Sequence, residues 1–394
     1  MYLTEIDEGY GSGKMRIEQD IVTPLLLWYE CNKRILPWRE DKNPYRIWVS
    51  EIMLQQTRVE AVKPYFDRFM KELPDASHLA GADEERLLKL WEGLGYYNRV
   101  RNMQKAAQII MKDYKGDFPK DYEALIKLPG IGEYTAGAIA SISFGQSVPA
   151  VDGNVLRILS RLLLYEGDIL SLKAKKEAGK ALGPLMPKDR PGDFNQALME
   201  LGATVCVPNG APRCGDCPWE KMCLAHKGDC WQDYPRKSAK KPRKIEEKTI
   251  LIIGDGERFL LHKRPSRGLL AGMYELPSIE GYADEAAVVA EVRRLKFSPL
   301  RIQKRGEAKH IFTHKEWHMK GYAVLVEAMD FTKKPVHGPG KDYIMVLREE
   351  TERDYPIPSA FSAFTKYLDI KPGMGKRIEK DIKIQDQRGK ELEK

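Results

Sequence analysis

The chain has 394 residues, 42% of them hydrophobic and 31% charged, with a formal net charge of +8. That length exceeds what one ordinary core holds and predicts two or three domains. No apolar run reaches the eighteen or so residues of a membrane-spanning helix, and the basic balance permits an anionic partner without identifying one.

Residues 1–16 open with MYLTEIDEGYGSGK, acidic and glycine-rich, and read as a flexible extension. It matches neither a secretory signal nor a transit peptide, so a cytoplasmic protein is expected, with Met15 as an alternative start. From residue 17 to 230 leucine and alanine recur at helical spacing between Pro and Gly breaks. PYRIWVSEIMLQQTRVE, from Pro44, reads as one helix with Trp48, Ile52 and Val59 on its apolar stripe. Glu51 sits at the edge of that stripe, and Gln55, Gln56 and Thr57 follow it. In LPGIGEYTAGAIAS, within a helical hairpin at about 121–143, Gly130 and Gly132 let the backbone turn and aim its N–H groups outward. Such a turn suits a phosphate. VPAVDGNVLRIL places Asp152 and Asn154 at a helix start, where both residue types serve as caps.

CVPNGAPRCGDCPWEKMC gathers Cys206, Cys214, Cys217 and Cys223 within one loop, 206–223. Four thiolates so close in sequence predict a metal centre, and zinc and an iron–sulfur cluster both accept four. A single CxxC and uneven gaps of seven, two and five residues lean toward a cubane cluster. Cys31 and Cys230 fall outside the set. Residues 231–247 are basic and proline-bearing and read as a linker. Across 248–370 the period becomes two: TILIIGDGERFLLHKR gives two strands about a turn, GYAVLVEAM another, and DEAAVVAEVRRL and SAFSAFTKYL two helices. Residues 371–394 form a charged, flexible tail.

The hairpin, the aspartate and the four-cysteine loop, in that order, resemble the helix-hairpin-helix DNA glycosylase superfamily in its iron–sulfur branch. WVSEIMLQQTRVEAVKPYF, GLGYYNRVRN and VDGNVLRIL further resemble the adenine DNA glycosylases, the MutY family, over about Ile17 to Leu368. The resemblance implies an all-α glycosylase domain carrying a [4Fe-4S] cluster on the four cysteines, followed by an α+β Nudix-like (MutT-like) domain. It implies a monomeric enzyme whose partner is double-stranded DNA with A opposite 8-oxoguanine or G. Glu51 is then the acid that protonates adenine N7, and Asp152 the carboxylate that stabilises or traps C1′. Tyr134 and Asn154 orient them. Burial beside Ile47, Trp48 and Ile52 would keep Glu51 protonated, while Asp152 should stay ionised. Arg34, Trp38 and Arg39 match the family's adenine-pocket wall and Gln196 a further pocket position. Gln56 and Tyr96 match its intercalating residues. Relatives of the endonuclease III kind open the second hairpin helix with a lysine nucleophile; Tyr134 stands there instead and cannot form a Schiff base, so lyase activity is not expected.

GLLAGMYELP resembles part of the Nudix fold, but the paired glutamates of its metal-binding helix are missing, which argues against nucleotide hydrolysis. HIFTHKEWHM resembles the family's 8-oxoguanine loop, assigning lesion contact to Phe312, Thr313 and His314. Zinc binding by His310, His314 and His318 is the alternative there. The first cysteine gap holds seven residues where the family usually has six, and Arg213 and Lys221 are the loop's expected DNA contacts. Two other classes stay open: a bifunctional lyase, and a non-catalytic iron–sulfur DNA-binding or redox-sensing protein.

Overall fold

The computed structural model describes residues 15, 17, 20–239, 242–328, 336–338, 341–368 and 376–378. They divide into two compact units, one within 1–82 and 98–240, the other within 83–97 and 241–394. The extension 1–14 and most of the tail lie outside the described residues.

The first unit is helical: α1 (Val22–Asn32), α2 (Pro44–Leu54), α3 (Val59–Glu72) and α4 (Ala76–Gly81) come before the segment 83–97. That segment carries α5 (Glu84–Leu90) and groups with the second unit. Then follow α6 (Asn98–Asp113), α7 (Tyr122–Leu125), α8 (Glu133–Phe144), α9 (Gly153–Leu163), α10 (Leu172–Leu182), α11 (Pro191–Thr204) and α12 (Leu224–Lys227).

The single helix expected from Pro44 is two. Asn43 caps α2 by accepting from the Tyr45 N–H at 2.9 Å, and Pro44 sits at the first helical position. The helix stops before Gln56, whose φ of 64° is left-handed. Residues 55–58 have no apolar side chain to bury, so nothing holds them in the helical stripe. Arg99 satisfies the freed carbonyls, donating to Ile52 and, at 2.9 Å, to Gln55. A partner over forty residues away in sequence leaves no trace in the local pattern.

One core of this unit is built on α9, with Val155, Leu156, Ile158, Leu159 and Leu162 buried against Leu25 of α1, Ala178 of α10 and Leu198 of α11. Trp219 of the cysteine loop is buried in the same core and donates its indole N–H to the Ile21 carbonyl at 3.0 Å.

The second unit contains a mixed sheet. Its strands are β1 (Lys244–Gly254), β2 (Arg258–Lys263), β3 (Tyr274–Glu275), β4 (Ser278–Glu280), β5 (Pro299–Ile311), β6 (Lys315–Val326), β7 (Val336–Gly338), β8 (Lys341–Leu347) and β9 (Lys376–Arg377). The order is β7-β8-β2-β1-β6-β5-β9, with β3 beside β2, β4 beside β1, and β1 parallel to β6. Alternate residues of β1 enter opposite cores. Leu251 and Ile253 meet Val288 and Val292 of α13 (Glu285–Arg294); Ile250 and Ile252 share the other cluster with Phe361 and Phe364. The unit also holds α14 (Arg348–Arg353) and α15 (Ser362–Thr365), the latter shorter than the closing helix expected. β1 begins at Lys244, inside the segment read as linker, because backbone pairing with β6 needs no apolar side chains there. Segment 83–97 is held by this unit: Lys89 donates to the Thr351 carbonyl at 2.9 Å, Tyr274 to Glu85 at 3.1 Å, and the Ile357 N–H to Glu92 at 2.9 Å. Among the described residues no helix is long and apolar enough to cross a membrane.

Candidate active site

The first unit carries a large groove of about 1750 Å³. Glu51, Tyr134, Asp152 and Asn154 all line it, although they come from α2, the start of α8 and the start of α9. Glu51 is 6% exposed, and the Tyr134 hydroxyl donates to its Oε2. Burial pushes its carboxyl up to about 7; the Tyr134 bond opposes this, the nearby Asp152 charge adds to it, and Arg39 opposes it. An acid so poised is half protonated at neutral pH, which is the condition for donating a proton to a weak base.

Asp152 is the N-cap of α9. Its Oδ1 accepts from the N–H groups of Asn154 and Val155 at 2.9 and 2.8 Å, and its Oδ2 from the Asn154 amide at 2.7 Å. Asp152 thus caps the helix and presents its carboxyl to the groove at the same time. Burial still pushes Asp152 upward, opposed by those hydrogen bonds and by Arg157, so the expectation of an easily ionised carboxylate meets an opposing force.

Two residues that no sequence motif singles out organise the walls. Glu200 of α11 is fully buried and receives Arg34 Nε at 2.5 Å, Arg34 Nη2 at 3.1 Å and Arg39 Nη2 at 2.8 Å. These bonds hold its carboxyl below the usual range despite burial. Arg34 and Arg39 thus act as wall residues through Glu200. Trp38, 5% exposed, packs edge-on against Phe66 at 5.4 Å. Gln196 and Met199 border the groove within the turn before Glu200. The second is Arg157 of α9, which donates to Asn154 Oδ1 at 2.9 Å, to the Gly202 carbonyl at 2.8 Å and to the Cys206 carbonyl at 2.9 Å. A charged residue on an otherwise apolar helix face was the available signal for both, as it was for Glu51. Gln55, Gln56 and Thr57 line the groove from the break after α2.

At the hairpin, Gly130 has a φ of 77°, and a Cβ there would lie 2.8 Å from Asn102 Cβ, so a side chain is excluded twice over. Gly132 is the N-cap of α8 with φ of −93°; its contribution is the lack of a capping side chain over the first N–H groups rather than a left-handed turn.

Residues 49–184 match the family model of the HhH-GPD superfamily base excision DNA repair protein, and 249–367 that of the NUDIX domain. Adenine DNA glycosylase of Mus musculus is 35% identical over 369 residues, covering 79% of this chain and 72% of that one. The chain belongs to the adenine DNA glycosylase family. The corresponding protein of Buchnera aphidicola from Acyrthosiphon pisum is 38% identical over 277 residues, 70% of this chain and 78% of its own. A thermostable thymine-DNA glycosylase structure, 27% identical, overlaps 52% of this chain and 95% of its own with a TM-score of 0.48.

In this adenine DNA glycosylase, Cys206, Cys214, Cys217 and Cys223 line one small cavity of about 30 Å³, while Cys31 and Cys230 do not. Arg161 of α9 donates to Cys206 Sγ at 3.3 Å. Burial and mutual repulsion push up Cys214 and Cys223, and Cys217 to about 12. Among the described residues, no three His, Cys, Asp or Glu side chains are grouped to hold a single metal ion. Within the seven-residue gap, Gly210 is exposed and left-handed at φ 77°, with open space where a Cβ would point. Arg213 is turned back onto the Thr204 carbonyl at 3.0 Å, using at the end of α11 donors that were expected to face DNA.

The second unit holds the remaining candidates. Tyr96, half exposed with φ of 49°, has its hydroxyl 2.9 Å from Thr313 Oγ1. Thr313 and His314 form the β5–β6 turn, closed by the Phe312 N–H donating to the Lys315 carbonyl at 2.8 Å. The Phe312 ring packs edge-on against His310 and Trp317. His310 pairs with Trp317 and His318 with Lys309, so the two histidines fall in successive rows and on opposite faces of the ladder. That register rules out the three-histidine zinc site.

Proposed function

We propose that this glycosylase flips adenine out of duplex DNA opposite 8-oxoguanine or G and hydrolyses its N-glycosidic bond without strand cleavage. The observation that carries the reading is Glu51: a buried carboxyl raised to about 7, held by Tyr134, in the groove that also presents Asp152. Neutral adenine is a poor leaving group. Proton transfer from Glu51 to adenine N7 makes it a good one, and the C1′–N9 electron pair leaves with the base. Positive charge then develops on the sugar, and Asp152 stabilises it or bonds C1′ until water adds. Tyr134 holds the Glu51 carboxyl in place, and Asn154 and the α9 N–H groups favour the ionised form of Asp152. Tyr134 carries no amine, so no Schiff base forms there.

Cys206, Cys214, Cys217 and Cys223 would hold a [4Fe-4S] cluster. Four thiols lining one small cavity fit a group held by four sulfurs, and the uneven gaps of seven, two and five residues favour a cluster over zinc. Bound there, the cluster would tie the two ends of the loop 206–223 together, with Arg161 of α9 donating to Cys206 Sγ beside it. Phe312, Thr313 and His314, with Tyr96, are assigned to the base opposite adenine.

The test incubates the protein with duplexes bearing A opposite 8-oxoguanine, G or T and scores strands with and without alkali. Alkali-dependent breaks in the first two duplexes are expected. No adenine release from the first would overturn the reading, and breaks without alkali would restore the lyase.

A further inference from the structure

The segment read as a linker is, over residues 231–238, bound to the first unit. Arg161 donates to the carbonyls of Trp231 and Tyr234 at 3.2 and 3.0 Å, and its guanidinium lies over the Trp231 ring. Glu166 receives both the Tyr234 hydroxyl and the Arg236 guanidinium. The Ile169 N–H donates to the Arg236 carbonyl at 3.2 Å, and the Ser238 hydroxyl to Asp168 at 2.6 Å. Tyr234, Arg236 and Ser238 therefore bind the loop between α9 and α10 at every second position. Lys237, between Arg236 and Ser238, is exposed.

Lys237 borders the groove that contains Glu51 and Asp152, and so does Lys175 of α10. Neither lysine has an ion pair or a side-chain hydrogen bond among the described residues, whereas Arg236 and Ser238 on either side of Lys237 are both engaged. Two uncommitted ammonium groups at the edge of a groove suit a polyanion, and a backbone pinned on both sides of Lys237 presents its charge without further ordering.

We propose that this strap is part of the nucleic-acid interface: Lys237, with Lys175, receives phosphates of the DNA backbone away from the excised nucleotide. Tyr234, Arg236 and Ser238 position it there. The inference rests on the reading that the groove takes duplex DNA. It adds sequence-independent affinity and no chemistry.

The experiment measures binding of the full-length protein to an undamaged labelled duplex between 50 and 200 mM salt. Every phosphate that is no longer neutralised makes the slope of log affinity against log salt shallower by about 0.9. Lys237→Ala should remove about one such increment, and Lys237→Ala with Lys175→Ala about two. Glu166→Gln with Ser238→Ala frees the strap while keeping Lys237, and should also remove about one. An unaltered slope in the double lysine variant, with wild-type melting, overturns the proposal. A slope reduced in Lys237→Ala but intact in the strap-release variant overturns the positioning role. Absence of adenine release by the wild type would instead refute the activity, and it leaves the salt slope readable.

Discussion

At the scale of single residues, Glu51 makes the sharpest demands. If protonated Glu51 delivers the proton, as proposed, excision should fall about tenfold per pH unit above about 7. Glu51→Gln should lower single-turnover excision by at least about a hundredfold at pH 7. The same group gives a stability signature. Its folded value lies above the unfolded 4.5, so the unfolded chain binds fewer protons between those values, and stability falls as pH rises from about 4.5 to about 7. Glu51→Gln removes that loss, so its melting temperature relative to wild type should be higher at pH 8 than at pH 4. An equal difference at both pH values would contradict the assigned burial effect. Asp152→Asn separates the two roles of that side chain. Asn is as good a cap as Asp, so the variant should melt within a few degrees of wild type while excision collapses. Glu51 and Asp152 were legible in the sequence because each stood in a long, specific motif. Glu200 was not, since its partners Arg34 and Arg39 lie over 160 residues away.

At the scale of elements, α9 does most of the positioning. Asp152 caps it, Asn154 and Arg157 follow on the same end, and Arg161 reaches Cys206. Gly202 of α11 sits against this helix so closely that a Cβ would lie 2.7 Å from Asn154 Cβ. Gly202→Ala should cost about 1–3 kcal/mol by overpacking, and should slow excision by displacing Asn154 and with it Asp152. Thermal melting and single-turnover rates check the two effects; a slowed rate without any loss of stability would point elsewhere. The helical and strand periods gave the type of nearly every element. The break after α2 escaped because its cause is Arg99 on another helix, and the early start of β1 escaped because a strand held by backbone pairing need not alternate in polarity.

At the scale of the whole molecule, the two units do not follow one another along the chain. Segment 83–97, interrupting the first unit in sequence, finds its partners in the second through Lys89, Glu92 and Glu85. A protein ended after residue 240 would lose the bonds to Thr351, Ile357 and Tyr274, leaving Lys89 and Glu92 to pair with each other. Such a truncation should melt at a lower temperature than the full chain and be cleaved faster by protease within 83–97; equal protection of that segment would show that the second unit is not what holds it. Composition could not reveal this exchange, because α5 reads as one more amphipathic helix among its neighbours. The arrangement also sets a schedule for synthesis. Segment 83–97 leaves the ribosome while the strands it belongs with are still untranslated, the first of them roughly 140 residues later. At 5–20 residues per second that is a wait of roughly 7 to 30 s. For that interval an amphipathic helix must keep its leucines from associating without its sheet, so the nascent chain, rather than the finished enzyme, is where this fold is most exposed to capture by a chaperone or by another copy of itself.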